Sequence, residues 1–156
     1  MNKLSIVVSL ITQDNDYQRE QAASAQSAAL KLGAIVQIIY ANNDAVQQTQ
    51  QVLSFIQEPG KRPDAILVEP VGTGMPQVAK AAVSAGIGWG VVNTEVDYIP
   101  ALRQRALVPV FSIVADHEEI GKLQGQQIAA ILGDEGCVLY IEGPSCLLYT
   151  SDAADE

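Results

Sequence analysis

The sequence predicts a three-layer α/β fold, a doubly wound parallel sheet of the Rossmann-like kind, and three observations lead there. Short runs of continuous rather than alternating apolarity recur along the chain, segments of helical period separate them, and capping or turn residues stand at the junctions. Continuous apolarity means that both faces of a strand are covered, the condition of parallel strands held between helix layers. A βαβαβαβ order then selects the doubly wound architecture.

Leu4 to Ile11 is the first such run. It is short, lacks an A-x-A-like end and breaks into Thr12-Gln13-Asp14, so it reads as a buried first strand and not as an export signal. Ala22, Ala25, Ala29 and Leu32 then recur at three and four residues, with Asp16 as the expected cap and Gly33 as the stop. Ala34 to Tyr40 is the second strand. Val46, Thr49, Leu53 and Ile56 repeat the helical period after Asn43-Asp44. The third strand, Ala65 to Val68, precedes a stripe of Met75, Val78, Ala79, Ala82 and Val83. "GIGWG", Gly86 to Gly90, is a helix-to-strand turn leading into Trp89 to Val92, with Trp89 in the core. Thr94 to Val108 carries Pro100 and no clean period, and reads as a long connection. Val110 to Val114 is the fifth strand; Ile120, Leu123, Gln127, Ile128 and Ile131 form a fourth helical stripe; Cys137 to Ile141 is a sixth strand that buries Cys137.

Composition excludes several function classes. The formal charge is −9 with only nine Lys plus Arg, which removes the basic surface that nucleic acid or an anionic membrane requires. No stretch reaches the ~20 apolar residues of a membrane span. Two cysteines, Cys137 and Cys146, are too few for a disulfide scaffold. His117 is the single histidine, which rules out a multi-histidine metal site and reads as a first-turn helix residue. "GTG", Gly72 to Gly74, follows a strand, but Gln77 stands where a dinucleotide loop needs its third glycine. No nucleophile with a plausible base is present. The chain is therefore expected to be no enzyme, with no catalytic residue, no metal and no cofactor. A flavodoxin-like or Rossmann enzyme is the distant alternative, and bound flavin or nicotinamide would reveal it.

Ligands of open α/β sheets sit outside the carboxyl ends of the strands. The loops there read Thr12-Gln13-Asp14-Asn15-Asp16-Tyr17, Glu69-Pro70-Val71-Gly72-Thr73-Gly74, Asn93-Thr94-Glu95 and Asp116-His117. Asp14, Asp16, Glu69, Glu95 and Asp116 make this rim acidic and hostile to phosphate or carboxylate ligands. Carboxylates and amides suit hydroxyl pairs or a cation instead, so the expected ligand is a sugar, a polyol or a cationic small molecule. Asp16 and Asp116 have a competing use as helix caps.

A resemblance then becomes specific. "IVVSLITQDNDYQREQAASAQSAALKLGAIVQIIYANNDAVQQTQQVLSFI", "RPDAILVEPVGTGMPQVAKAAVSAGIGWGVVNTEVD" and "VPVFSIVADHEEIGKLQGQQIAAIL" together resemble the first half of a type I periplasmic sugar-binding protein, a fold shared with the effector domain of the lactose-repressor family. The resemblance implies two Rossmann-like lobes closing on a ligand for ABC-type uptake, with a transporter permease or a signalling protein as partner. It also implies ligand contacts from Asn15, Asp16 and Tyr17, which match an Asn/Pro/aromatic stretch, and from Asn93 and Thr94, which match an Asp-Arg pair in sugar binders. The Arg of that pair is absent here, and Gly88 replaces a common Pro. The resemblance divides the chain into an N-terminal ligand-binding lobe over residues 1–114 and the start of a second lobe over 115–145. Residues 146–156, "CLLYTSDAADE", resemble a translated sequencing adapter and are expected to be foreign to the protein. A fragment with one wall of the clamp is expected to bind weakly or not at all. The family resemblance implies a periplasmic location; the N-terminus as it stands points to the cytoplasm, where a ligand sensor or regulator of the same fold is the alternative function.

Overall fold

The computed structural model describes residues 3–58, 60, 62–72, 75–133 and 136–140. They fall into two compact units that divide between Val114 and Ala115.

The first unit is an all-parallel five-stranded sheet. Its strands are β1 (Ser5–Leu10), β2 (Ile35–Tyr40), β3 (Ala65–Val68), β4 (Gly88–Val92) and β5 (Val110–Ile113), in the spatial order β2-β1-β3-β4-β5. The helices α1 (Asp16–Leu32), α2 (Ala45–Gln57), α3 (Pro76–Ser84) and α4 (Ile99–Arg103) connect them. Ile6 of β1 pairs Val36 on one side and Ala65 on the other, so β1 is the interior strand from which the chain winds both ways. Reversing the direction of winding while keeping right-handed crossovers forces the connecting helices onto opposite faces. Val8, Leu10 and Ala22 accordingly form one small core under α1. Val7, Ile66, Val68, Trp89 and Val91 point to the other face and pack with Val52, Ile56, Val78, Ala79, Ala82 and Ile99. Successive strand residues thus fill two cores, which is why their apolarity is continuous.

Caps and turns set the element ends. Asn15, in extended backbone, accepts the Gln18 amide through its side chain and caps α1; Gly33, with φ +69°, receives the chain in the left-handed region and donates to the carbonyls of Ala29 and Leu30. The cap is therefore Asn15 and not the expected Asp16, which is already helical and pairs with Arg19 one turn on. Asp44 caps α2 by accepting the amides of Val46 and Gln47. The expected connection from Thr94 to Val108 contains α4, whose first turn holds Pro100, where the missing amide hydrogen costs nothing.

Two buried stripes differ from the sequence expectation. In α1 the buried residues are Gln18, Ala22 and Ala29, whereas Leu32 is exposed at the helix end. In α2 they are Gln48, Val52 and Ile56, whereas Val46 is exposed. Each helix is rotated so that a glutamine, not an apolar residue, enters the sheet side near the strand ends.

The second unit contains α5 (His117–Leu132), capped by Asp116, which accepts the Glu119 amide. No residue of α5 is buried. The expected strand over Cys137 to Ile141 is not formed across residues 137–140, and Cys137 is exposed rather than in a core. A strand needs a ladder neighbour for its amides and carbonyls, and no described segment supplies one. Ile141 lies outside the described residues, as do Thr73, Gly74 and the whole of 146–156.

Candidate functional site

The order β2-β1-β3-β4-β5 places a topological switch point between β1 and β3, where the loops leaving both strands part to opposite faces. Glu69 directly follows β3 at this point. Its backbone amide donates to the Ser9 carbonyl at 2.9 Å, the residue is only 2% exposed, and its Oε2 accepts Gln18 Nε2 at 2.7 Å. Burial pushes the Glu69 carboxyl above its ordinary value; the Gln18 amide and the Asn93 amide beside it act in the opposite direction by favouring the charged form.

Two glutamines hold this residue in place. Gln18 accepts the Ile11 amide at 3.1 Å through Oε1 while its Nε2 holds Glu69, so α1 ties the ends of β1 and β3 together. Gln48, fully buried, donates through Nε2 to Ser9 Oγ at 3.1 Å and to the Glu69 carbonyl at 2.8 Å, and its Oε1 accepts the Val71 amide at 2.8 Å. Both side-chain amides are satisfied, as burial demands. Neither was among the sequence candidates. The available signal was a Gln in register with an apolar helical stripe, at four residues before Ala22 and four before Val52.

Asn93 follows β4 with φ +64°, in the left-handed region that Asn tolerates better than most side chains. Its backbone amide bonds the Ile113 carbonyl at 2.9 Å, while its buried Nδ2 makes no hydrogen bond among the described residues. An orphaned donor beside a buried carboxylate is a polar pair held ready for something not provided by the chain itself. Tyr17, exposed at the start of α1, feels the same carboxylate: partial burial and then the Glu69 charge raise its hydroxyl.

The structure thus brings Tyr17, Glu69 and Asn93 together, with Gln18 added. Asp14 accepts Thr12 Oγ1 at 2.9 Å, and its amide donates back to the same oxygen at 3.2 Å, so it is spent on shaping the loop after β1. Asn15 is occupied as a cap and Asp16 with Arg19. Thr94 is half-buried and Glu95 exposed after β4. Asp116 belongs to the second unit, where its carboxylate caps α5. Among the described residues no group of His, Cys, Asp and Glu could hold a metal ion, and no helix is long and apolar enough to cross a membrane.

Comparison with solved structures finds the same fold repeatedly. An ABC transporter periplasmic solute-binding protein from Actinobacillus succinogenes 130z with bound D-allose superposes with a TM-score of 0.81 at 21% identity, over 95% of this chain and 51% of that one. A galactofuranose-binding protein gives 0.82 at 23% identity, over 96% and 49%. An ABC transporter solute-binding protein from Mycobacterium smegmatis with bound glycerol gives 0.80 at 23%, over 99% and 50%. This chain spans about half the length of these proteins. A search of curated sequences returns no match. The sequence model for the periplasmic binding protein domain matches residues 6–146, nearly the whole chain, and with the switch-point geometry this establishes that the chain belongs to the periplasmic binding protein domain family.

Proposed function

We propose that this chain supplies one ligand-binding wall of a non-catalytic solute-binding protein that takes up a small polyhydroxylated molecule, a sugar or polyol, for an ABC-type permease. The carrying observation is the buried Glu69 carboxylate beside the unpartnered Nδ2 of Asn93. A hydroxyl group can donate to the first and accept from the second at once, whereas an ammonium group has no lone pair for the amide and an anion is repelled by the carboxylate. Desolvating such bonds is what makes them selective. The family and the neighbours with bound D-allose and glycerol support the same ligand class. Tyr17, with an exposed aromatic face at the same place, adds a surface for the apolar side of a sugar ring.

The test is an amide-resolved NMR titration of the chain with D-allose, glycerol and putrescine at millimolar concentration, a regime that reads weak binding. The expected result is saturable shifts at Tyr17, Gln18, Glu69, Val71 and Asn93 with a polyol. Silence toward both polyols, or a response to putrescine alone, would refute the reading.

A further inference from the structure

Resting on that ligand reading, we infer that Gln18 is a positioning residue for ligand capture: its Nε2 pins Oε2 of Glu69 so that Oε1 is presented to a ligand hydroxyl. The geometry is that of a clamp with no slack. Gln18 is 3% exposed and engages both of its polar atoms, one on the Ile11 amide and one on Glu69. Rotating the Gln18 amide by half a turn would bring its NH2 against the Ile11 N–H and its oxygen against the carboxylate, so the orientation is fixed by two partners of opposite kind. The root of the side chain is fixed as well, since the Glu69 backbone is held at its amide by Ser9 and at its carbonyl by Gln48. Gln18 takes up Oε2, and the Asn93 amide stands beside the same carboxylate. The oxygen that remains is therefore aimed by the clamp and not by solvent.

The groups around this carboxylate are of few kinds. Gln18 and Tyr17 come from α1, Asn93 from the end of β4 and Gln48 from α2, and of these only Tyr17 titrates. Arg19, the nearest cation in sequence, is committed to Asp16 and the Gln13 carbonyl. With no cation in the constellation, the Gln18 N–H is the foremost contact that favours an ionised Glu69, and removing it should be read directly at that carboxyl.

The experiment follows the Glu69 side-chain carboxyl carbon by NMR against pH in the full chain, wild type and Gln18→Met, with amide spectra confirming the fold. Gln18→Met keeps length and volume but loses the donor. Its Glu69 midpoint is expected to move up by about one pH unit, and its D-allose or glycerol response at neutral pH to fall by about tenfold, a charge-assisted bond's worth. Gln51→Met, which loses a glutamine bonded only to the Tyr40 carbonyl, is expected to leave both readouts unmoved. If Gln18→Met does not fold, Gln18→Glu retains the acceptor for Ile11 and sets two carboxyls side by side, which should split the titration into two steps. An unchanged Glu69 midpoint in a folded Gln18 variant overturns this inference alone. A wild-type chain silent to the polyols overturns the ligand reading beneath it, and the Glu69 titration still distinguishes the two failures.

Discussion

Glu69 shows how one buried residue couples stability to acidity. Because burial raises its carboxyl above the ordinary value, the folded chain holds that proton more tightly than the unfolded chain. Its contribution to stability is therefore complete below the ordinary glutamate range and is lost as pH rises through the raised folded value. Glu69→Gln keeps the shape and an oxygen for Gln18 but never ionises. The thermal midpoint of this variant, followed by circular dichroism, is expected to gain on wild type as pH rises from the ordinary glutamate range through the raised folded value; a difference that does not vary with pH would show that Glu69 is not desolvated. Glu69 and Asn93 were legible in the sequence because each directly follows an apolar strand. Gln18 and Gln48 were not, because a glutamine on a helix is ordinarily a solvated residue, and only packing reveals that it is buried.

At the scale of the element, β4 is closely packed against both neighbours at Gly90. A Cβ built on Gly90 would lie 2.5 Å from Leu67 Cδ2 and 2.8 Å from Phe111 Cζ, on strands to either side, so the absence of a side chain is what lets these two neighbours approach. Both are side-chain ends that yield only in part, and Gly90→Ala is expected to cost about 1–3 kcal/mol in urea denaturation. Gly60→Ala, with nothing within 4 Å, is the matched control and should stay within about 0.5 kcal/mol of wild type. Equal effects at the two glycines would mean that the β3-β4-β5 packing is looser than described. The reading of "GIGWG" as a turn leading into a strand holds for Gly86, with φ +80°, and the strand, expected from Trp89, begins one residue earlier at Gly88; Gly88 and Gly90 serve cross-strand space and not turning.

At the scale of the molecule the two units differ in how they are held. In the first, Val7, Ile66, Trp89 and Val91 are almost wholly buried, and a Trp89→Ala change alone would be expected to cost about 3–5 kcal/mol. In the second, Ile120, Leu123, Ile128 and Ile131 are exposed along α5. Helical hydrogen bonds without a buried face open readily, since most helical stability in proteins comes from packing. Hydrogen exchange is expected to be slowest at the amides of β1, β3 and β4 and orders of magnitude faster through α5. Protection of α5 equal to that of β1 would contradict this account.

What the sequence determined by itself was the parallel sheet, five of its six expected strands, the helices and the strand ends where a site could form, because apolar runs and helical periods are local signals that burial on two faces imposes directly. Tertiary structure alone decided which of those rim residues converge. Tyr17, Glu69 and Asn93 meet because the strand order brings β1, β3 and β4 side by side, and Gln18 joins them because α1 turns that edge toward the sheet. It likewise decided that residues 137–140 form no strand: apolar pattern can mark a segment fit for a sheet, but only a neighbouring strand can satisfy its backbone.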